Sequence, residues 1–231
     1  MSHSFIPYGR HVIDDADIKA VVDVLRGDWL TTGPRVDQFE QAFAVYVGAR
    51  HAVAVSSGTA ALHLCMLAAG IGPGDEVIVP ALTFAASANC ARYVGATVVF
   101  ADVDEKSLTI DVDQVQSLIT ERTRAIVAVD YGGLPCDLES LVSLADRHGI
   151  ALVEDACHAV GARYRGQPVG SIANLSAFSL HPVKHMTSGE GGMLTTNDAG
   201  LAARARMLRN HGISTDHRQR EQHNTWRYDS Q

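Results

Sequence analysis

An acid and a lysine in this sequence have the types and order of two parts of one reactive centre. Asp155 lies near the end of a short apolar run, Ala151–Cys157, and Lys184 follows a second run of small residues. A partly buried amine loses its charge easily and can attack a carbonyl group. A carboxylate opposite it can hold a proton on the nitrogen of a pyridine ring. The pair therefore indicates Schiff-base chemistry with pyridoxal 5'-phosphate (PLP).

A third group of residues has the composition of a phosphate-binding turn. Ser57, Gly58 and Thr59 follow one predicted strand and open an Ala-rich helical pattern. Glycine lets a ligand approach the backbone, while a helix N-terminus offers free N–H groups and the positive end of its dipole. An ordinary N-cap explains the same residues, and for this motif alone it is the better explanation. No Walker lysine and no Gly-x-Gly-x-x-Gly pattern is present, which argues against nucleoside triphosphate and dinucleotide sites.

Three further side chains fit the same cofactor. Phe84 follows a predicted strand and suits stacking on a flat ring, although for this residue alone a core position is the better explanation. His158 is placed to hydrogen-bond the ring hydroxyl, and Ser179 is a second candidate donor to the phosphate. For Asp155 the alternatives are a helix cap or a structural ion pair, and a lone lysine is usually a surface residue. The co-occurrence of these residues at successive strand ends favours a cofactor site.

The elements that must position these residues alternate along the chain. Such repeated β-α units predict an α/β fold with a mostly parallel sheet and helices on both faces, its strands buried on both sides. The predicted strands are Ala52–Ser57, Val77–Ala81, Thr97–Val103, Ala125–Tyr131, Ala151–Cys157, Leu175–Leu180 and Gly192–Thr196. The predicted helices are Asp15–Arg26, Val36–Val47, Ala60–Ala69, Ala85–Val94, Val112–Ile119, Leu138–His148 and Ala199–Asn210.

Composition excludes several classes of function. The net charge of −7 argues against nucleic acid as a partner, and Arg204, Arg206 and Arg209 are expected to form a solvated helix face. No run of about 18 apolar residues and no signal core is present, so neither a membrane span nor export is expected. The four cysteines lack CxxC spacing and are expected to be reduced, buried thiols of a cytoplasmic protein rather than metal ligands.

Several segments carry a resemblance to a known family. They are Ile6–Gly9, Trp29–Gly33, Val55–His63, Glu154–Ala159, Phe178–Lys184 and Ser188–Met193. They closely resemble the DegT/StrS family of PLP-dependent sugar aminotransferases, which have the type I aminotransferase fold. The resemblance implies Asp155 at the ring nitrogen and Lys184 in the Schiff base. It also implies phosphate contacts at Gly58, Thr59 and Ser179, and stacking at Phe84.

The resemblance extends to the rest of the site and to the domains. It implies that Thr31 and Thr32 lie in a substrate-side N-terminal segment, 1–35, followed by a PLP-binding large domain, 36–213. The polar stretch 214–231 is expected to lead into a smaller C-terminal domain that this sequence does not contain. Related dehydratases carry histidine in place of the lysine, so Lys184 favours amino transfer.

The implied reaction moves an amino group from L-glutamate to the 4-keto carbon of a UDP-linked 4-keto-6-deoxy-N-acetylhexosamine. The expected assembly is a homodimer with each site at the interface. Two alternatives remain open. One is another nucleotide-sugar aminotransferase, perosamine-like or acting on a dTDP-sugar. The other is a truncated, catalytically silent PLP-binding protein.

Overall fold

A seven-stranded sheet forms the centre of the computed structural model, which describes Phe5, Pro7 and residues 9–213. Its strands, and the two of a small separate hairpin (β6 and β7), are β1 (His51–Val55), β2 (Glu76–Pro80), β3 (Thr97–Ala101), β4 (Thr123–Val129), β5 (Ala151–Asp155), β6 (Arg163–Tyr164), β7 (Gln167–Pro168), β8 (Leu175–Ser179) and β9 (Gly192–Thr196). The strand order is β1-β9-β8-β5-β4-β2-β3. Only β9 is antiparallel to its neighbours in this sheet, so the predicted mostly parallel sheet is confirmed.

Helices cover both faces of the sheet, as predicted. They are α1 (Asp15–Leu25), α2 (Pro34–Val47), α3 (Gly58–Ala68), α4 (Ala85–Tyr93), α5 (Val112–Leu118), α6 (Leu138–His148) and α7 (Ala199–Arg209). The apolar residues of α3, α4 and α7 pack on one face of the sheet. Those of α5 and α6 pack on the opposite face, and α2 forms a third cluster with Phe178 and Met193. Helix α1 buries none of its residues.

Local sequence signals set the helix ends. The side chain of Asp137 accepts the Ser140 N–H and begins α6, and Gly149 ends that helix with a φ of 63°. Glycine adopts this left-handed backbone conformation at little cost in free energy, because glycine has no Cβ. Both ends of α6 were predicted from these residue types. A capping side chain also begins α3, where Ser57 is the N-cap.

Two features of the sheet differ from the expectation. Strand β3 was predicted to be buried on both faces, but it lies at the edge of the sheet and Phe100 is 58% exposed. Apolar composition alone does not distinguish an edge strand from a central one. The hairpin of β6 and β7 was not predicted, because two residues per strand show no periodicity.

No helix in the described part of the chain combines the length and apolarity needed to cross a membrane. The stretch 214–231, predicted to be a polar loop, lies outside the described residues.

Candidate active site

The predicted site residues meet at one edge of the sheet. Strands β1, β2, β5 and β8 run in the same direction, so their carboxyl ends share an edge. Gly58, Phe84, Asp155 and Ser179 follow or end these strands. Ligands of open α/β sheets bind outside the carboxyl ends of the strands. The topology therefore places the predicted residues where a cofactor of such a fold would bind.

The N-terminus of α3 lies directly against the end of β8. A Cβ added to Gly58 would stand 2.8 Å from Ser179 Cβ and 2.9 Å from Cys157 Sγ. A Cβ added to Gly192, where β9 begins, would stand 2.2 Å from the carbonyl oxygen of Ser57. Both approaches are closer than any side chain permits. Glycine at these two positions is thus the condition for the turn after β1 to reach Ser179.

This turn retains hydrogen-bond donors for an anion. The first N–H groups of a helix have no acceptor within the helix. Ser57 Oγ accepts one of them, from Ala60 at 3.0 Å, so Ser57 performs the capping role that sequence reasoning weighed against phosphate binding. The N–H groups of Gly58 and Thr59 remain at the positive end of the α3 dipole. The Ser179 hydroxyl lies beside them at the buried end of β8.

Asp155 is buried and held by two donors. Ser87 Oγ donates to Asp155 Oδ2 at 2.6 Å, and the Cys157 N–H donates to Asp155 Oδ1 at 3.3 Å. Because Ser87 uses its proton on the carboxylate, the Thr83 hydroxyl at 2.7 Å must donate to Ser87 in turn. Among the described residues, no cationic side chain forms an ion pair with Asp155. A buried carboxylate in this state suits a cationic ligand atom.

Lys184 lies half-buried on the loop that joins β8 to β9. Its N–H donates to the carbonyl of His181 at 2.9 Å, and the Leu180 carbonyl accepts the N–H of Ser188 at 3.1 Å, which folds the loop back on itself. Burial raises the pKa of the Cys157 thiol and lowers that of His158; the Lys184 charge offsets part of the first shift and adds to the second. The loop therefore sets the lysine near enough to the end of β5 to act on these two side chains.

Burial controls the protonation of the neighbours. It lowers the pKa of His158, and the Lys184 charge lowers it further, so the imidazole is neutral at pH 7. Burial also raises the pKa of the Cys157 thiol, with Asp155 adding to the shift. Cys157 is therefore a protonated thiol and not a nucleophile. Among the described residues, no group of three or more His, Cys, Asp or Glu side chains is arranged to hold a metal ion.

Phe84 is an open aromatic surface at the same edge. It is 74% exposed and stands as the N-cap of α4, with no side-chain hydrogen bond of its own. A phenylalanine in the core would be covered, so the structure excludes the simple core role that sequence reasoning considered. Its exposure suits stacking on a ring.

Thr31 and Thr32 lie elsewhere, on a groove of about 1060 Å³ walled by α2, α3 and α7. Both are exposed, and Thr32 has a φ of 48°. The lining of this groove includes Ser56 and His63, but not Lys184, Asp155 or Phe84. The structure thus sets the two threonines beside the turn that holds Gly58 and does not join them to the lysine.

One expectation about the arginines that line this groove is wrong. Arg206 and Arg209 were expected on a solvated face, but both pair with Glu40, which is buried. Glu40 also accepts the N–H of Ala54 at 2.9 Å. The arginines therefore fasten α7 to α2 and β1, because a buried carboxylate needs a cation or several donors.

Sequence reasoning missed Ser87. A small polar residue within the pattern Ala85–Ala88 looks like any helical serine. Its complete burial, at 0% exposure, and its bond to Asp155 become visible only when α4 is set against β5. The sequence signal that could have identified Ser87 is a hydroxyl on the buried side of the helix that follows the Phe84 turn.

Comparison with known proteins identifies related sequences. The model of the DegT/DnrJ/EryC1/StrS aminotransferase family matches residues 11–230. A protein from Shewanella sediminis, UDP-4-amino-4-deoxy-L-arabinose–oxoglutarate aminotransferase, is 47% identical over 221 residues, which are 96% of this chain and 57% of that protein. The chain thus spans little more than half the length of this relative.

Solved structures of similar fold are also found. Spr1654 from Streptococcus pneumoniae in its PLP form has a TM-score of 0.89 and 34% identity, covering 97% of this chain and 60% of that one. PseC from Helicobacter pylori, an aminotransferase of pseudaminic acid biosynthesis, has a TM-score of 0.88 and 33% identity, covering 97% of this chain and 59% of that one.

Proposed function

Since the chain belongs to the DegT/DnrJ/EryC1/StrS aminotransferase family, we propose that it catalyses amino transfer from L-glutamate to the 4-keto carbon of a UDP-linked 4-keto-6-deoxy-N-acetylhexosamine. The observation that supports this most is that a buried carboxylate, Asp155, and the amine of Lys184 lie at the same sheet edge, where the charges of both act on His158. The segments Val129–Asp137 and His181–His185 look most like the transaminase that makes UDP-4-amino-4,6-dideoxy-N-acetyl-β-L-altrosamine. The similarity to PseC agrees with this substrate.

The cofactor of this family is PLP, and the residues at the sheet edge fit it. The turn at Gly58 leaves the backbone bare where a phosphate would lie, and the α3 N-terminus supplies donors and a favourable dipole. Asp155 has no cation partner among the described residues and suits a protonated ring nitrogen. When bound, PLP supplies an electron sink for the carbon that loses its proton.

The chain's own residues divide the remaining work. Gly58, Thr59 and Ser179 anchor the phosphate, and Phe84 covers one face of the ring. Asp155 keeps the ring nitrogen protonated, and its position is held by Ser87. Lys184 Nζ would hold the cofactor until the amino group of the donor takes its place, and the freed amine would then take up the proton that leaves the donor's α-carbon. His158, neutral at pH 7, is free to share a hydrogen bond with the ring hydroxyl.

We also propose the arrangement around this domain. Residues 36–213 form the PLP-binding large domain, and 1–35 form the segment that carries Thr31 and Thr32 toward the sugar. The working form is a homodimer in the cytoplasm in which the partner helps to complete each site. The apolar side chains Ile18, Val21 and Leu25 of α1 support a partner, because all three are more than half exposed.

A second candidate is supported by the 47% identity to the Shewanella sediminis enzyme, whose name gives a UDP-linked 4-amino pentose. The 4-keto form of that pentose shares the UDP group and the 4-keto carbon with the first substrate but lacks the N-acetyl and methyl groups. The two candidates therefore share every residue that handles the cofactor. They differ only where the sugar ring is recognised.

The experiment that tests the proposal proceeds in two steps. The protein is mixed with PLP, reduced with borohydride and digested, and mass spectrometry is used to locate the label; we expect it on Lys184. A panel of UDP- and dTDP-linked 4-keto sugars is then offered with L-glutamate, and the 2-oxoglutarate released is measured. Label without turnover on any sugar would support a silent PLP-binding protein. No label on Lys184 would remove the proposal altogether.

A further inference from the structure

Two carboxyl groups lie buried next to Asp155, and the proposed chemistry uses neither. Asp130 directly follows β4 and Glu154 lies in β5, and both are fully buried. Ala128 is paired with Glu154 across the two strands. Because alternate residues of a strand share a face, Asp130 and Glu154 lie on one face of the sheet and Asp155 points to the other. The pair is therefore a second layer beneath the acid of the candidate site.

Each carboxyl has one satisfied oxygen and one that lacks a donor. Asp130 Oδ1 accepts the Cys136 N–H at 3.0 Å. Glu154 Oε2 accepts the Gly170 N–H at 3.0 Å and the Ser176 hydroxyl at 2.7 Å. Asp130 Oδ2 and Glu154 Oε1 are buried and have no partner. The two side chains lie on the same face of neighbouring strands, and a hydrogen bond between Asp130 and Glu154 would satisfy both of these oxygens.

Two ionised carboxylates could not form that bond. Both facing oxygens would be acceptors, and two negative charges would be buried together. One proton between them resolves both difficulties at once, because a protonated carboxyl donates to the ionised one. The arrangement resembles the like-charged carboxyl pairs in which one group keeps its proton.

We propose that Asp130 and Glu154 share a single proton, and that this bond fixes the loop after β4 to β5 and so positions Asp155 and His158. The Asp130 N–H donates to the carbonyl of Asp155 at 3.1 Å. A Cβ on Gly133, three residues on, would lie 2.8 Å from the carbonyl oxygen of His158. Movement of Asp130 would thus reach both residues. The positioning part rests on the proposed function; the shared proton does not.

Asp130 is the group that carries the proton. Burial, with the charge of Glu154 adding to it, raises its pKa to about 9. Burial also raises the pKa of Glu154, but the donors from Ser176 and Gly170 stabilise its ionised form. The other titratable groups that act on the pair are Asp155, on the far face of β5, and the Cys136 thiol, which donates to the Val129 carbonyl.

The shared proton makes stability depend on pH in a defined direction. The folded protein holds a proton that the unfolded chain releases above its ordinary pKa of about 4. The bond is thus fully stabilising below pH 4 and is lost as pH rises toward about 9. Across this window one bound proton changes the unfolding equilibrium constant about tenfold per pH unit.

Asp130→Asn isolates this contribution. Asparagine keeps the acceptor for Cys136 and offers an N–H to Glu154, but it does not titrate. Urea unfolding is measured from pH 5 to 8 for both proteins. We expect the variant to lack about one proton's worth of slope, a relative change of about tenfold per pH unit. Equal slopes would overturn the shared proton.

Asp137→Asn is the matched control in the same loop. This exposed carboxyl accepts the hydroxyl of Tyr164, which lowers its pKa, so it is ionised throughout pH 5–8. Its replacement should leave the slope in that range unchanged. A change equal to that of Asp130→Asn would mean that any acid in the loop gives the same result, and would overturn the assignment to the pair.

A double variant provides a second, independent check. Asp130→Asn and Glu154→Gln should each be tolerated, since one amide still donates to one carboxylate. In the double variant the two amide NH2 groups face each other, because the oxygen of each amide is held by the donors on its other side. Neither NH2 group then has an acceptor. We expect the unfolding constant of the double variant to exceed the product of the single effects by about tenfold. Simple additivity would contradict the shared bond.

The positioning part is tested by PLP affinity against pH. When both carboxyls ionise above about pH 9, their repulsion should loosen the loop and weaken PLP binding in the wild-type protein. Asp130→Asn should lose less affinity between pH 8 and 10, because every other effect of pH is common to the two proteins. Identical affinity profiles would overturn the positioning role. If neither protein binds PLP at any pH, the proposed function fails and the positioning role fails with it, while the urea slopes still decide the shared proton.

Discussion

Asp155 and Lys184 act on the same space but are held by different kinds of structure. Asp155 ends a central strand, is buried, and has both carboxylate oxygens fixed by donors. Lys184 lies half-buried on a loop, where its backbone N–H donates to the carbonyl of His181. The acid is set in place by the fold itself, whereas the amine keeps freedom of rotation. A residue that must first hold a ligand and later carry protons requires that freedom.

The largest effect on labelling and turnover is expected when the loop residue, Lys184, is replaced. Lys184→Ala should abolish borohydride labelling with PLP and reduce turnover by about 10²–10⁴-fold, because it deletes both the attachment point and the proton carrier. Mass spectrometry and release of 2-oxoglutarate measure the two effects. His185→Ala, at the next and exposed position, should keep the label on Lys184. A labelled Lys184→Ala protein would place the reactive amine elsewhere.

The next test removes only the charge from the strand residue. Asp155→Asn keeps the shape and an acceptor for Ser87 but cannot hold the ring nitrogen proton. Breaking one partner of a buried charge pair costs about 3–5 kcal/mol, which corresponds to about 10²–10⁴ in turnover. Steady-state rates and PLP affinity are measured beside Asp146→Asn, an exposed acid on α6. Normal turnover in Asp155→Asn would remove Asp155 from the chemistry.

Ser87→Ala tests whether the strand residue depends on its support. Loss of a hydrogen bond to a charged group costs about 1.5–3 kcal/mol, so turnover should fall about tenfold or more. Ser117→Ala removes an exposed hydroxyl that donates to the Gln114 carbonyl and should change neither rate nor stability by a measurable amount. If the two variants behave alike, the position of Asp155 does not depend on the hydrogen bond from Ser87.

Gly58→Ala should have the smallest effect on chemistry and act mainly on stability. The new Cβ would enter the space of Ser179 and Cys157, and such overpacking costs about 1–3 kcal/mol. Gly72→Ala is the control, because no heavy atom lies within 4 Å of its Cβ. Thermal unfolding with and without PLP compares them. Equal melting temperatures for the two variants would show that the turn after β1 is looser than its contacts imply.

The sequence predicts the strand residues of the site better than their support. Asp155 and Gly58 follow apolar runs, and the rule that parallel strands share a ligand-binding edge is enough to bring them together. Ser87 and Asp130 reach the site only through the spacing of α4 and β4 against β5, which no local pattern encodes. A proton shared between two acids depends on a distance between strands, and a linear sequence does not contain that distance.

The fold shows the same division. Turn and cap residues such as Asp137 and Gly149 predict element ends closely, because their physics is local. The order of the strands, with β9 reversed between β1 and β8, was not predicted. Nor was the exposed edge at β3, where Phe100 looks apolar enough for a core. Pairing partners far apart in the chain are chosen by the whole set of strands at once.

The reversed strand also governs when this protein can fold. Among the described residues, β1 has one sheet neighbour, β9, and Val55 is paired with Gly192, which follows it by 137 residues (192 − 55). Contacts between such distant residues slow folding, because a long loop must close before they form. During synthesis on the ribosome, the turn at Gly58 is made early but has to wait for β9 to emerge. The ability to bind a cofactor therefore arises among the last events of folding.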